Sequence, residues 1–169
     1  MPIPSSQVRG IHKQLHQNSC SVSALEFASK LHGLIPSNSF PLQSNPQNQY
    51  KGFAEPDLQS EVKLSATSDK ADYDILSALE LLIKETSQGR FPIISLQAFR
   101  ADGSPAGYHI NVVESVDGQL VLIEPADSSI QAASTKELEK ELERSCRPDP
   151  QWPRNTLHIL TIRPQNEEG

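Results

Sequence analysis

Cys20 and His109 carry side chains that could do nucleophilic chemistry together. A cysteine attacks a carbonyl as its thiolate and needs a positioned base to take its proton. Around Cys20, residues 20–34 place Ala24, Phe27, Ala28 and Leu31 at helical spacing. Asn18 or Ser19 can supply the N-cap oxygen and Gly33 a C-terminal stop. Cys20 is therefore expected on the first turn of a helix, where the helix dipole favours an anion. The competing reading is a small buried hydrophobe, the commoner fate of a free cysteine.

Five histidines could serve as the base: His12, His16, His32, His109 and His158. His12 and His16 precede the helix in a polar, irregular stretch. His32 lies about three turns along the helix from Cys20, and His158 sits among Leu157, Ile159 and Leu160. All four read as structural or surface groups, because none comes with a partner that would orient the ring. His109 follows the breaker cluster of residues 103–107 and begins a strand, so it is expected at an exposed strand end.

The strand spanning 108–116 leads through Asp117-Gly118 into another at 119–124, and Asp-Gly between apolar runs predicts a two-residue hairpin. That turn sets Val116 opposite Gln119, Asn111 opposite Glu124 and His109 opposite Ala126. Glu124 then lies diagonally across from His109 on the same face, about 7–8 Å away between backbone positions. It is the carboxylate predicted to fix the imidazole tautomer, with Asn111 as runner-up. Asp127 falls on the other face. A one-residue slip would reverse every facing and leave an ordinary polar hairpin surface.

The remaining elements must hold these groups. Residues 36–71 carry prolines, Ser, Asn and Gln with few apolar side chains and read as a long polar loop, uncommitted surface with a short edge strand near 61–66. A helix over 72–87 shows Ile75, Leu76, Leu79, Leu82 and Ile83 as one apolar stripe ended by Gly89. Residues 91–99 read as a strand. A helix over 134–144 opens with Ser134 and Glu137 in capping-box spacing, and a strand over 156–162 precedes a flexible tail at 163–169. The whole is an α+β chain of one domain spanning residues 1–169.

Composition excludes several functions. With 15 basic against 21 acidic residues and a net charge of −6, the chain lacks the cationic surface that phosphate backbones require, so no nucleic-acid partner is expected. No run approaches the roughly 20 apolar residues of a membrane span, and the first residues lack a secretory signal pattern. Two cysteines make no disulfide framework, which favours a reducing, cytoplasmic setting or export without a cleavable signal. Cys146 has no helix start or histidine beside it in sequence and reads as incidental. No metal-ligand spacing or phosphate loop is present, so no cofactor is expected.

Taken together, these residues resemble the papain-like cysteine peptidase superfamily, most closely the branch of bacteriocin-leader-processing peptidases. Gln14 stands six residues before Cys20, His109 opens the strand Tyr108-His109-Ile110-Asn111-Val112-Val113, and Glu124-Pro125 follows 15 residues later. By that resemblance Gln14 is an oxyanion-hole donor, with Gln17 as competitor, Cys20 the nucleophile, His109 the general base and Glu124 its orienting acid. Residues 91–96 are similar to the strand before the histidine, and residues 134–144 to the helix after the acid. The family often has Cys-Gly-Pro-Ala and Asp-Pro where this chain has Cys20-Ser21-Val22-Ser23 and Glu124-Pro125. The resemblance implies a papain-like fold with the cysteine helix packed on a mostly antiparallel sheet. It also implies a free-standing, effector-like bacterial hydrolase acting on a protein or peptide, a peptidase first. A glutamine deamidase, an acyltransferase and a non-catalytic peptide-binding module are the alternatives.

Overall fold

The computed structural model describes residues 5–71, 74–146 and 157–165. Six strands form one antiparallel sheet: β1 (Leu64–Ala71), β2 (Ile93–Phe99), β3 (Pro105–Val116), β4 (Gln119–Ile123), β5 (Ile130–Ala132) and β6 (Leu157–Pro164). Their order across the sheet is β1-β6-β2-β3-β4-β5. The helices are α1 (Ser5–Arg9), α2 (Cys20–Leu31), α3 (Pro56–Glu61), α4 (Ile75–Ser87) and α5 (Thr135–Cys146). The expected α+β arrangement, with the cysteine-bearing helix packed on an antiparallel sheet, is what the chain adopts.

The sheet is covered on both faces, so the chain has two cores. On one face α2 buries Val22, Leu25, Phe27, Ala28 and Leu31 against Ile93, Ile110, Val112, Ile123 and Leu160. On the other, Leu79 and Leu82 of α4 and Leu138 and Leu142 of α5 meet Ile94, Val113, Leu122 and Ile159. Alternate residues of β3 thus feed opposite layers, as the period of two in a strand requires.

The hairpin forms with the predicted register, Val116 opposite Gln119 and Val112 opposite Ile123. Asp117 and Gly118 take positive φ values of 49° and 79°, the two left-handed residues of a tight type I′ turn. The turn chemistry was sufficient to fix which face each side chain of β3 presents.

Several expectations need correction. Residues 36–71 are not a polar loop. Leu42, Phe53, Leu58, Val62 and Leu64 are buried in the first core, and the segment contains α3 and β1, an edge strand that pairs with β6 from Leu64↔Pro164 to Ala71↔Leu157. Its apolar residues are sparse in sequence but converge on the first core. In α4 the stripe is narrower than predicted: Leu79 and Leu82 are buried, whereas Leu76 and Ile83 stand exposed. The last strand continues to Pro164, and the expected tail beyond 165 lies outside the described residues. At the start of α2, Ser19 takes the cap position without a side-chain bond to a helix amide. Among the described residues no helix is long and apolar enough to cross a membrane.

Candidate active site

His109, Asn111 and Glu124 come together as the hairpin register demands. The His109 Nε2 is ion-paired with Glu124 Oε2. Asn111 Nδ2 donates to the same Oε2 at 3.2 Å and to the Ile123 carbonyl at 3.3 Å, while the Ala126 amide donates to Glu124 Oε1 at 3.2 Å. Glu124 is buried and both its oxygens are held, so the carboxylate is a fixed reference for the ring, which is itself about half exposed. The hydrogen bond to Glu124 raises the His109 pKa above its ordinary value. Burial opposes this, and the charges of Glu124, Asp127 and Glu141 add to the rise. Because Nε2 faces Glu124, Nδ1 is the nitrogen that remains to face a thiol. Asn111 is a second donor to the acid rather than a substitute for it. Asp127 accepts from the Ser129 amide at 3.0 Å in the following turn.

Cys20 occupies the first position of α2, is free and partly buried, and packs against the first core. Since Ile110 and Val112 feed that core, His109 and Asn111 point to the opposite layer, toward a shallow cavity lined by Leu96, Leu122, Gln131, Glu141 and Arg144. The thiol and the ring therefore approach the end of β3 from different layers, and among the described residues no hydrogen bond joins them.

What ties the two halves is the loop just after the acid. The Gln14 amide donates to the Ala126 carbonyl at 2.8 Å, Ser23 Oγ to the Pro125 carbonyl at 3.2 Å, and Ser128 Oγ to the His12 carbonyl at 2.8 Å. The chain before Cys20 and the first turn of its helix are thus pinned to residues 125–128.

The Gln14 carboxamide donates to the His16 carbonyl at 2.7 Å and the Gln17 carbonyl at 3.0 Å, which engages both of its hydrogens within its own loop. Gln17 enters that loop through its carbonyl, and its side chain is exposed. The side chain of Cys146 lies outside what is described. No group of His, Cys, Asp and Glu suited to a metal ion occurs among the described residues.

Sequence reading missed a polar spine on the hidden side of α2. Ser19, Ser23, Glu26 and Lys30 recur at helical spacing and are all fully buried. Lys30 Nζ donates to His12 Nδ1 at 2.8 Å, so the ring carries its proton on Nε2, 2.9 Å from Ser23 Oγ; Ser23 in turn donates to Pro125. Desolvation, with the Lys30 charge beside it, lowers the His12 pKa to about 3, and burial lowers that of Lys30 to about 8. Lys30 also sits 3.7 Å over the Phe40 ring. The 19, 23, 26, 30 periodicity was visible in sequence, but such a stripe ordinarily faces water. The cover supplied by His12, residues 40–43 and Pro125 makes it interior.

No family model matches the chain, and no curated protein matches it. Among solved structures, the Pseudomonas avirulence protein AvrPphB aligns over 95% of this chain and 100% of that one, with a TM-score of 0.46 and 12% identity. A likeness that slight assigns nothing, and the site rests on its own residues.

Proposed function

We propose that this chain is a papain-like cysteine hydrolase that cleaves an amide bond of a protein or peptide, with Cys20 as nucleophile, His109 as base and Glu124 as orienting acid. The observation that carries the proposal is the His109–Glu124–Asn111 cluster, set beside the loop to which the Cys20 helix is pinned. A half-exposed imidazole whose tautomer is set by a buried carboxylate is the arrangement a general base requires. In the reaction His109 Nδ1 takes the thiol proton and the thiolate attacks the carbonyl carbon. The resulting oxyanion is held by the Cys20 backbone amide and, once it exchanges one of its loop partners, by the Gln14 carboxamide. His109 then protonates the leaving amine, and water releases the acyl group. Because the thiol and the ring start from different layers, the reaction requires the His109 ring to turn round the end of β3 toward Cys20.

Incubation with an unfolded protein substrate tests the proposal. Fragments are expected from the native enzyme and none from Cys20→Ala. A mass gain of about one dalton without fragments would instead mean deamidation by the same groups. A second reading, a non-catalytic peptide-binding module, draws on the placement of Cys20 and His109 in different layers. It predicts peptide binding that both Cys20→Ala and His109→Ala leave intact, with no turnover in either.

A further inference from the structure

Gln43 lies outside the candidate triad, in the segment that sequence alone reads as uncommitted loop, yet it is almost fully buried and every one of its polar groups is used. Its Oε1 accepts from the Leu15 amide at 2.6 Å and from Ser19 Oγ at 3.0 Å. Its Nε2 donates to the Lys13 carbonyl at 3.1 Å and to Glu26 Oε1 at 2.7 Å. Its backbone amide donates to Glu26 Oε2 at 3.3 Å, and its carbonyl accepts from His16 Nε2 at 3.1 Å. The orientation of the carboxamide is forced, because a flip would set its NH2 against the Leu15 N–H and its oxygen against the Lys13 carbonyl.

The partners fall on both sides of one structure. Lys13, Leu15, His16 and Ser19 are the backbone and side chains of the loop that carries Gln14 and runs directly into Cys20. Glu26 belongs to α2 and is itself held by the Leu42 amide at 2.8 Å. One side chain therefore locks the loop preceding the nucleophile to the helix bearing it. We infer that Gln43 is a positioning residue for the oxyanion site: it fixes the 13–19 loop so that the Cys20 amide and the Gln14 carboxamide can converge on one oxygen. This rests on the hydrolase reading. It assigns no proton transfer to Gln43, which touches neither substrate nor the reacting atoms.

Two reactions of the same thiol separate positioning from general structure. Alkylation by iodoacetamide displaces iodide at a saturated carbon, forms the C–S bond and generates no oxyanion. Acylation by p-nitrophenyl acetate forms a thioester through an oxyanion, breaks the ester C–O bond and expels p-nitrophenolate; water then regenerates the thiol and releases acetate. The full chain and Gln43→Met, which keeps the volume and removes the hydrogen bonds, are compared for both. The expected result is alkylation of Cys20 within about twofold of the native rate, with acylation lowered about 100-fold, the scale of losing an oxyanion donor. If Gln43→Met does not hold its fold in a thermal melt, Ser19→Ala, which removes one of the six contacts together with the Ser19 hydroxyl's bonds to His16 in the same loop, carries the test. Its acylation should fall about three- to tenfold with alkylation unchanged. Native acylation in the folded variant, or parallel loss of both reactions in it, overturns the inference and leaves the hydrolase reading standing. Absence of Cys20-dependent acylation in the native chain overturns that reading and the inference with it.

Discussion

The histidine side and the cysteine side of this molecule are built on opposite principles. Around His109 a short hairpin does the work. Two positive-φ residues set a register, the register puts Asn111 and Glu124 on one face, and local hydrogen bonds complete the cluster. Around Cys20 nothing local suffices. The helix start is held by residues 12–16, 40–43 and 125–128, brought together through buried polar groups. A site can therefore join one half that is robust to sequence change at a distance with another that depends on long-range closure.

Substitutions at the proposed nucleophile and base should have the largest effect. Cys20→Ala is expected to abolish amide cleavage, and His109→Ala to lower turnover by about 100- to 10,000-fold, the usual contribution of a positioned base; initial rates on the unfolded-protein substrate measure both. Glu124→Gln, which keeps the shape but loses the charge facing His109, should fall about 100-fold, with the loss concentrated in kcat. A Glu124→Gln enzyme with native kcat would show that the hairpin cluster has no part in turnover. Gln14→Ala is expected to cost on the order of 100-fold if its carboxamide reaches the oxyanion; a loss of threefold or less would mark Gln14 as a brace of its own loop.

Stability gives a second contrast, since the two histidines respond to pH with opposite sign. His109 holds its proton more tightly folded than unfolded. Its contribution is full below the unfolded pKa near 6.5 and is lost as pH rises through the raised folded value. His12 is neutral in the fold, with a pKa of about 3 against 6.5 unfolded. Its contribution is full above about pH 6.5 and is lost as pH falls toward 3, by roughly 4 to 5 kcal/mol at about 1.4 kcal/mol per pKa unit. Urea melts across that range, native against His12→Gln, should show the variant losing less stability between pH 6.5 and 4. His109→Ala should narrow its gap from the native protein above neutrality. The smallest effect expected is at the surface: Leu76→Ser and Ile83→Ser on the exposed side of α4 should change stability by no more than about 0.5 kcal/mol.

How much of this was legible in the sequence follows the same division. Asp117-Gly118 announced the hairpin, and from it came the facing of His109 and Glu124 without any knowledge of the rest. The helix at Cys20 was likewise readable from Ala24, Phe27, Ala28 and Leu31. The packing of residues 36–71 was not, because Leu42, Phe53, Leu58 and Val62 are too widely spaced to produce a period and gain their burial only from the first core as a whole. Nor were Gln43 and Glu26, whose types are ordinarily solvent-facing and whose meaning appears only when their partners are seen. The layer from which Cys20 meets β3 was equally hidden, since periodicity within each element says nothing about how two elements are stacked.

The most direct test of the account is the rate of Cys20 alkylation by iodoacetamide at neutral pH, followed residue by residue by mass spectrometry in the native protein and in His109→Ala. Cooperation between thiol and ring predicts that Cys20 reacts at least about tenfold faster than Cys146 and that removing His109 abolishes the difference. Equal, slow labelling of both cysteines, unchanged by His109→Ala, would contradict it.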